Sequence, residues 1–328
     1  MKIAEIYCHF SFLELICAKV AEYCNAQNQS ISDVLKEETL SVPAVEAYKL
    51  IYRNAKKVIL CIDADANKTT FEQNPYYKTL SKQGIIEASK QDFNTFDKDF
   101  YNNLYQHSYF FLNENEEKCS NIEDKYGFFC FSKNNWDKNI LRITERFDPV
   151  LIWSGGQVKN YSFLQNYVRP CNAMIISDEY LSKDRSPQDN LYRILDYLLP
   201  KNLQIDFHLT IFTGDISQYA DIDKKLKEIR SYPILFTIIL VTKSNPVHDR
   251  NIITNYFWIN SGHGFHLFQR ENIVSGRNTQ ISFYSIFRNH CAHIIAQLKP
   301  IENSRDITNP SDSGQIKSNN NGKNKLLS

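Results

Sequence analysis

The sequence predicts an α/β protein, and three observations carry that expectation. From residue 150 onward, apolar runs of strand length alternate with amphipathic helical stretches. In the first half, Lys57-Val58-Ile59-Leu60-Cys61-Ile62-Asp63 is continuous, apolar and β-branched, the pattern of a central strand covered on both faces. Hydrophobic residues make up 42% of a chain of 328, enough for a sizeable core and for two domains or one large one.

In chain order, residues 1 to about 54 read as helical. Leu13, Ile16, Cys17, Val20 and Ala21 recur at three- and four-residue spacing, and Ala44, Ala47, Leu50 and Ile51 belong to a second helix starting near Ser32 or Ser41. The 57–63 strand ends in Asp63-Ala64-Asp65, where two carboxylates can hold a magnesium ion or simply face solvent at a turn. Residues 70–105 show no strong period. Tyr109–Leu112 and Tyr126–Phe131 read as strands joined by an acidic, solvated loop.

Punctuation by Ser132-Lys133-Asn134-Asn135 and Asp148-Pro149 places a boundary near residues 133–148. Beyond it, strands are expected at Val150–Trp153, Ala173–Ile176, Ile205–Phe212, Ile234–Val241 and Thr279–Phe287. Helices are expected around Leu191–Leu198, Ile216–Arg230 and Arg288–Leu298. The stretch from Pro300 to Ser328 has hardly any apolar residues and reads as a disordered tail. The expected division is therefore 1–140, a smaller α/β or α+β domain of unassigned role; 149–299, an α/β sandwich; and 300–328, the tail.

A formal net charge of +1 argues against coating nucleic acid by bulk electrostatics but leaves room for a local basic patch. The eight cysteines form no C-x-x-C pair and sit mostly in apolar runs, which points to a reduced, cytoplasmic setting. Glu5 and Glu14 interrupt the apolar N-terminal run, and no stretch reaches the roughly 20 uncharged apolar residues of a membrane span. Membrane association is accordingly not expected.

The stretch that carries chemistry is Val247-His248-Asp249-Arg250-Asn251-Ile252-Ile253-Thr254-Asn255, followed by a β-rich run and Ser261-Gly262-His263-Gly264-Phe265. On a strand, His248 and Arg250 are two apart and share a face. An imidazole and a fixed cation on one face suit attack on phosphorus with the non-bridging oxygens held. The same residues also suit a surface histidine beside an Asp249–Arg250 ion pair.

This segment resembles the H-x-K-x4-D-x6-G-S signature of the phospholipase D superfamily, whose order of strand, hairpin, strand and helix also fits the surroundings. His248 stands at the histidine, Arg250 at the lysine, Asn255 at the aspartate and Gly262 at the first glycine. The Gly262-His263-Gly264-Phe265-His266-Leu267-Phe268 turn is similar to the phospholipase-D-like domain at the C-terminus of microtubule-interacting-and-trafficking proteins. The resemblance covers roughly residues 150–298 and implies a phospholipase-D-like α/β sandwich. It implies a metal-independent phosphodiesterase, a hydrolase of nuclease type, with no cofactor. His248, Arg250 and Asn255 take the catalytic positions, and Arg250, His263 and Arg270 contact phosphate, with Arg277 as a further contact.

Three departures bear on activity. Asn255 lacks the aspartate's charge, His263 replaces the serine, and there is no second H-x-K. His9, His107, His208, His263, His266, His290 and His293 have no basic residue two positions on. The resemblance thus implies a homodimer that brings two His248 side chains together. Nucleic acid is the expected partner. The alternatives are a silent module that holds a phosphate-bearing ligand, nucleic acid or an anionic lipid head group, and a scaffold role. A third reading of His248, His263 and His266 is as metal ligands.

Overall fold

The computed structural model is an α/β protein. It describes residues 2–36, 42–61, 72–89, 93, 96–144, 148–153, 156–181, 187–241, 250–269, 273–274, 278–287, 289–303, 316–320 and 323–328. The chain forms two compact units, residues 1–123 with 128–145, and residues 124–127 with 146–328.

In the first unit, five strands pair among the described residues: β1 (Ala4–His9), β2 (Ala55–Cys61), β3 (Ile86–Ser89), β4 (Ser108–Leu112) and β5 (Phe129–Ser132). Their order is β3-β2-β1-β4-β5 and every pairing is parallel. Parallel neighbours need crossovers, which helices including Phe10–Gln27, Pro75–Lys82 and Glu116–Tyr126 supply. The core is aromatic: Phe110, Phe111, Phe128, Phe129 and Phe131 are wholly buried, each contributing about 1.5–3 kcal/mol by leaving water.

This unit corrects the sequence reading in three places. Ala4–His9 is a strand, not helix; it passes straight into the helix Phe10–Gln27 with no turn residue between, which conceals the change of period. Residues 70–105 hold the helix Pro75–Lys82, strand β3 and the short helix Lys98–Asn102. Glu116–Tyr126, read as an acidic loop, is a helix with Glu116 and Glu117 in its first turn, where carboxylates favour the positive end of the helix.

In the second unit an eight-stranded mixed sheet is seen among the described residues. Its strands are β6 (Val150–Ile152), β7 (Ala173–Ser177), β8 (Phe207–Thr213), β9 (Ile234–Leu240), β10 (Arg250–Thr254), β11 (Phe257–Ser261), β14 (Thr279–Ser285) and β15 (Ile316–Ser318). Two short strands, β12 (Phe268–Gln269) and β13 (Ile273–Val274), pair separately. The sheet order is β15-β9-β8-β7-β10-β11-β14-β6. Strands β7, β8 and β9 are parallel; β10 runs antiparallel to β7 and opens the antiparallel series β10-β11-β14-β6. The start of β10 therefore lies beside the carboxyl end of β7. From Arg250 onward the motif forms a hairpin, β10–β11, although β8 and β7 lie between β10 and β9, the strand that precedes it in sequence.

The chain after residue 300 departs from the expected disordered tail. The helix Asn289–Asn303 runs through Pro300, and β15 adds antiparallel to β9. Asn324 is buried; its Nδ2 donates to Met174 O (3.1 Å) and Thr210 Oγ1 (3.2 Å), and its backbone N–H donates to Glu302 Oε1 (3.1 Å). Leu326 and Leu327 are buried with it. A few apolar residues suffice here because the rest of the sheet already provides the surface they cover. Among the described residues no helix is long and apolar enough to cross a membrane.

Candidate functional site

The residues that converge in the second unit do so at the carboxyl end of its parallel strands. Strand β7 is fully buried, and its last residue, Ser177, leads to Asp178. Pairing sets Asn251 opposite Ser177, so Arg250 projects at the sheet end beside Asp178. The Asp178 side chain is entirely buried and that of Arg250 is 25% exposed, with Nε 3.9 Å from Asp178 Oδ1. Asp178 Oδ1 accepts the Tyr180 N–H and Oδ2 accepts the Phe265 N–H, both at 3.0 Å. Burying a polar group is costly unless hydrogen bonds partner it, and here both carboxylate oxygens have one.

Arg250 is positioned from three sides. Its Nη1 donates to Gly262 O (3.1 Å), its guanidinium carbon lies 5.3 Å from the centre of the Tyr180 ring, and Asp178 faces Nε. The Nε to Oδ1 separation exceeds hydrogen-bond reach, so the guanidinium is not committed to a bidentate pair with Asp178. It carries five N–H donors, and among the described residues it donates to Gly262 O. What the arrangement can do chemically is hold a planar, fixed cation at the mouth of the sheet.

The glycine turn closes over this pair. Gly264 has φ +91°, in the left-handed region. A Cβ there would stand 2.9 Å from Asp178 Oδ2 and 3.2 Å from Arg250 Cδ. Ser261 Oγ donates to Gly264 O (2.5 Å), and the buried Tyr161 hydroxyl donates to Phe265 O (2.6 Å) while accepting the Leu267 N–H (3.3 Å). Burial pushes the Tyr161 hydroxyl well above the usual phenol range, so it remains a neutral donor.

The structure places the sequence-derived residues unequally. Arg250 and the turn bearing His263 come together; His263 is exposed, and His266 Nε2 lies 3.3 Å from Tyr180 O. Asn255 does not join them. It follows the far end of β10, five residues or about 17 Å of strand from Arg250. There it is buried, its Oδ1 accepting the Asn172 and Ala173 N–H groups (2.9 and 3.0 Å) and its Nδ2 donating to Asn172 Oδ1 (3.0 Å). The catalytic position assigned to Asn255 is therefore corrected: it fastens the entry to β7. His248, Asp249, Arg270 and Arg277 lie outside the described residues, as do Asp63 and Asp65. Among the described residues no three His, Cys, Asp or Glu side chains group as metal ligands.

Asp178 and Tyr180 were not singled out by sequence reasoning. Their one signal was position, a carboxylate at the end of an apolar strand. A second polar group lies in the first unit, where β1 and β4 diverge: His9 Nδ1 accepts the Asn113 N–H (3.0 Å), and Asn113 Nδ2 and Lys133 Nζ donate to Ser11 Oγ (2.5 and 3.2 Å). Its hydrogen bonds close on one another, so it tells little about a ligand.

No family model matches the chain, and no curated protein matches it.

Proposed function

We propose that the second unit binds a phosphodiester at Arg250. The observation that supports this is a partly exposed guanidinium held at the carboxyl end of β7, β8 and β9 by a buried carboxylate, an aromatic ring and a carbonyl. Open α/β sheets bind ligands outside the carboxyl ends of their strands where the direction of winding changes, and β7 next to β10 is such a place. Arginine suits phosphate because its fork matches two oxygens at once, and a side chain already fixed loses little freedom on binding.

A hydrolytic reading rests on the spacing of His248 two residues before Arg250. In that reading the His248 imidazole attacks phosphorus, the P–O bond to the leaving oxygen breaks, and water then releases the phosphohistidine. A second copy of the chain supplies the proton to the leaving oxygen. This is metal-independent nuclease chemistry and needs a homodimer.

Equilibrium binding of a short oligonucleotide in excess chelator tests both. Arg250→Ala is expected to weaken binding about 10- to 100-fold, the loss of a charge-assisted contact. Unchanged affinity in that variant overturns the proposal. Cleavage that disappears in His248→Ala with binding retained supports hydrolysis; no cleavage by the wild type leaves a binding module.

A further inference from the structure

Resting on the phosphodiester reading, we infer that the ligand is single-stranded nucleic acid, lying along the end of the second unit's sheet with bases stacked on Tyr180 and Trp153. Among the described residues, the large apolar side chains that stand exposed are Leu151 (61%), Trp153 (50%) and Tyr180 (51%). They are far apart in sequence, yet the register brings all three to one end of one sheet.

The register can be followed strand by strand. Asn251 pairs with Ser177, Arg250 with Ser261, Ser261 with Ile281, and Ile281 with Val150. Tyr180 follows the end of β7, Arg250 begins β10, Gly262 and His263 follow β11, Gln280 sits near the start of β14, Leu151 lies in β6 and Trp153 follows it. Leu151 pairs with the exposed Gln280, one residue out of step with Arg250, Ser261, Ile281 and Val150, so that pair projects to the other face and the row crosses the end of the sheet rather than following one face. Four strand spacings separate the ends of this row, roughly 19 Å.

The composition of the row selects the ligand. A membrane-seeking or self-associating surface would gather its apolar side chains into one patch. Here exposed aromatic side chains flank polar ones: Tyr180 at one end, Arg250, His263 and Gln280 between, and Leu151 and Trp153 at the other end. A single strand offers partners for both, phosphates that need a cation and bases that need a flat apolar face. Tyr180 links the two functions, since its ring also packs against the Arg250 guanidinium. Stacking tolerates any base, so the row favours unpaired strands without demanding a sequence. A duplex, whose bases already stack on one another, gains nothing from it.

The test uses the full chain and four probes at one ionic strength: a labelled single-stranded oligonucleotide, its duplex, inorganic phosphate, and vesicles containing anionic lipid. Trp153→Ala and Tyr180→Ala are each expected to weaken the single strand about 5- to 100-fold, with Trp153→Phe restoring most of the loss. Trp153→Ala is expected to leave phosphate binding unchanged. Trp136 and Trp258 are buried, so quenching of intrinsic fluorescence by the oligonucleotide should come from Trp153. Wild-type affinity in Trp153→Ala, or equal affinity for duplex and single strand, overturns the inference while leaving Arg250-dependent binding intact. Vesicle binding that depends on Trp153, without oligonucleotide binding, overturns it in favour of a membrane surface. If Arg250→Ala also changes nothing, the phosphodiester reading falls with it.

Discussion

A methyl group at Gly264 would lie 2.9 Å from Asp178 Oδ2, on a backbone that already holds φ at +91°. Gly264→Ala therefore brings two costs at once, a left-handed backbone for a residue with a Cβ and displacement of the carboxylate that faces Arg250. The expected loss is about 1–3 kcal/mol in unfolding free energy, measurable by denaturant titration, together with weaker phosphate binding. Asn255 gives the opposite pattern. Asn255→Ala leaves two buried N–H groups, of Asn172 and Ala173, without their acceptor. It should cost about 2–5 kcal/mol of stability yet leave the phosphate affinity of the folded protein unchanged. A fall in affinity without a fall in stability would return Asn255 to the site.

Among the elements, the C-terminal strand makes the clearest demand. Removing residues 304–328 deletes β15, exposes the surface under Leu326 and Leu327, and takes away the bonds from Asn324 to Met174 and Thr210. Two leucines alone contribute about 3–6 kcal/mol when fully buried, so the truncated chain should melt well below the full one in a thermal scan. The residues after this strand add to a pH dependence. Burial, and next the Lys325 cation, hold His208 on β8 down to about 4. Between there and its ordinary value of 6.5 the unfolded chain binds a proton that the folded chain refuses, so stability rises with pH across that window and is lost as pH falls through it. The loss amounts to about 3 kcal/mol from a shift of that size. Glu302, which accepts the Asn324 N–H, is raised by burial and acts in the opposite sense, so the slope in His208→Gln should flatten or reverse. An unchanged slope in that variant would remove His208 as its source.

At the scale of the whole molecule, a net charge of +1 and, among the described residues of the site, one fixed guanidinium predict a weak salt dependence. Each phosphate neutralised on a single strand contributes a slope of about −0.7 in log K against log salt. A slope near −1 or −2 is expected, and one as steep as −5 would require a basic groove beyond Arg250. If the hydrolytic reading holds, cleavage should also fall on dilution, in step with dimer dissociation followed by sedimentation.

The sequence by itself determined the α/β class and most strands of the second unit, because β-branched apolar runs are local signals. The aromatic strands β4 and β5 were legible for the same reason. It did not reveal β1, whose apolar run merges with the next helix, nor β3 and the helices of residues 70–105, which have little period of their own. It also misjudged the end of the chain: Asn324, Leu326 and Leu327 have too few apolar neighbours in sequence, and only the sheet provides the rest. Arg250 stood out in the sequence, but Asp178 and Tyr180, more than 60 positions earlier, became its partners only through the pairing of β7 with β10. The same pairing carried Asn255 to the other end of the strand, since a strand separates residues by about 3.4 Å each while sequence spacing records only their number. Local patterns thus decided which elements form. Strand order and register, which depend on contacts between distant segments, decided which side chains meet.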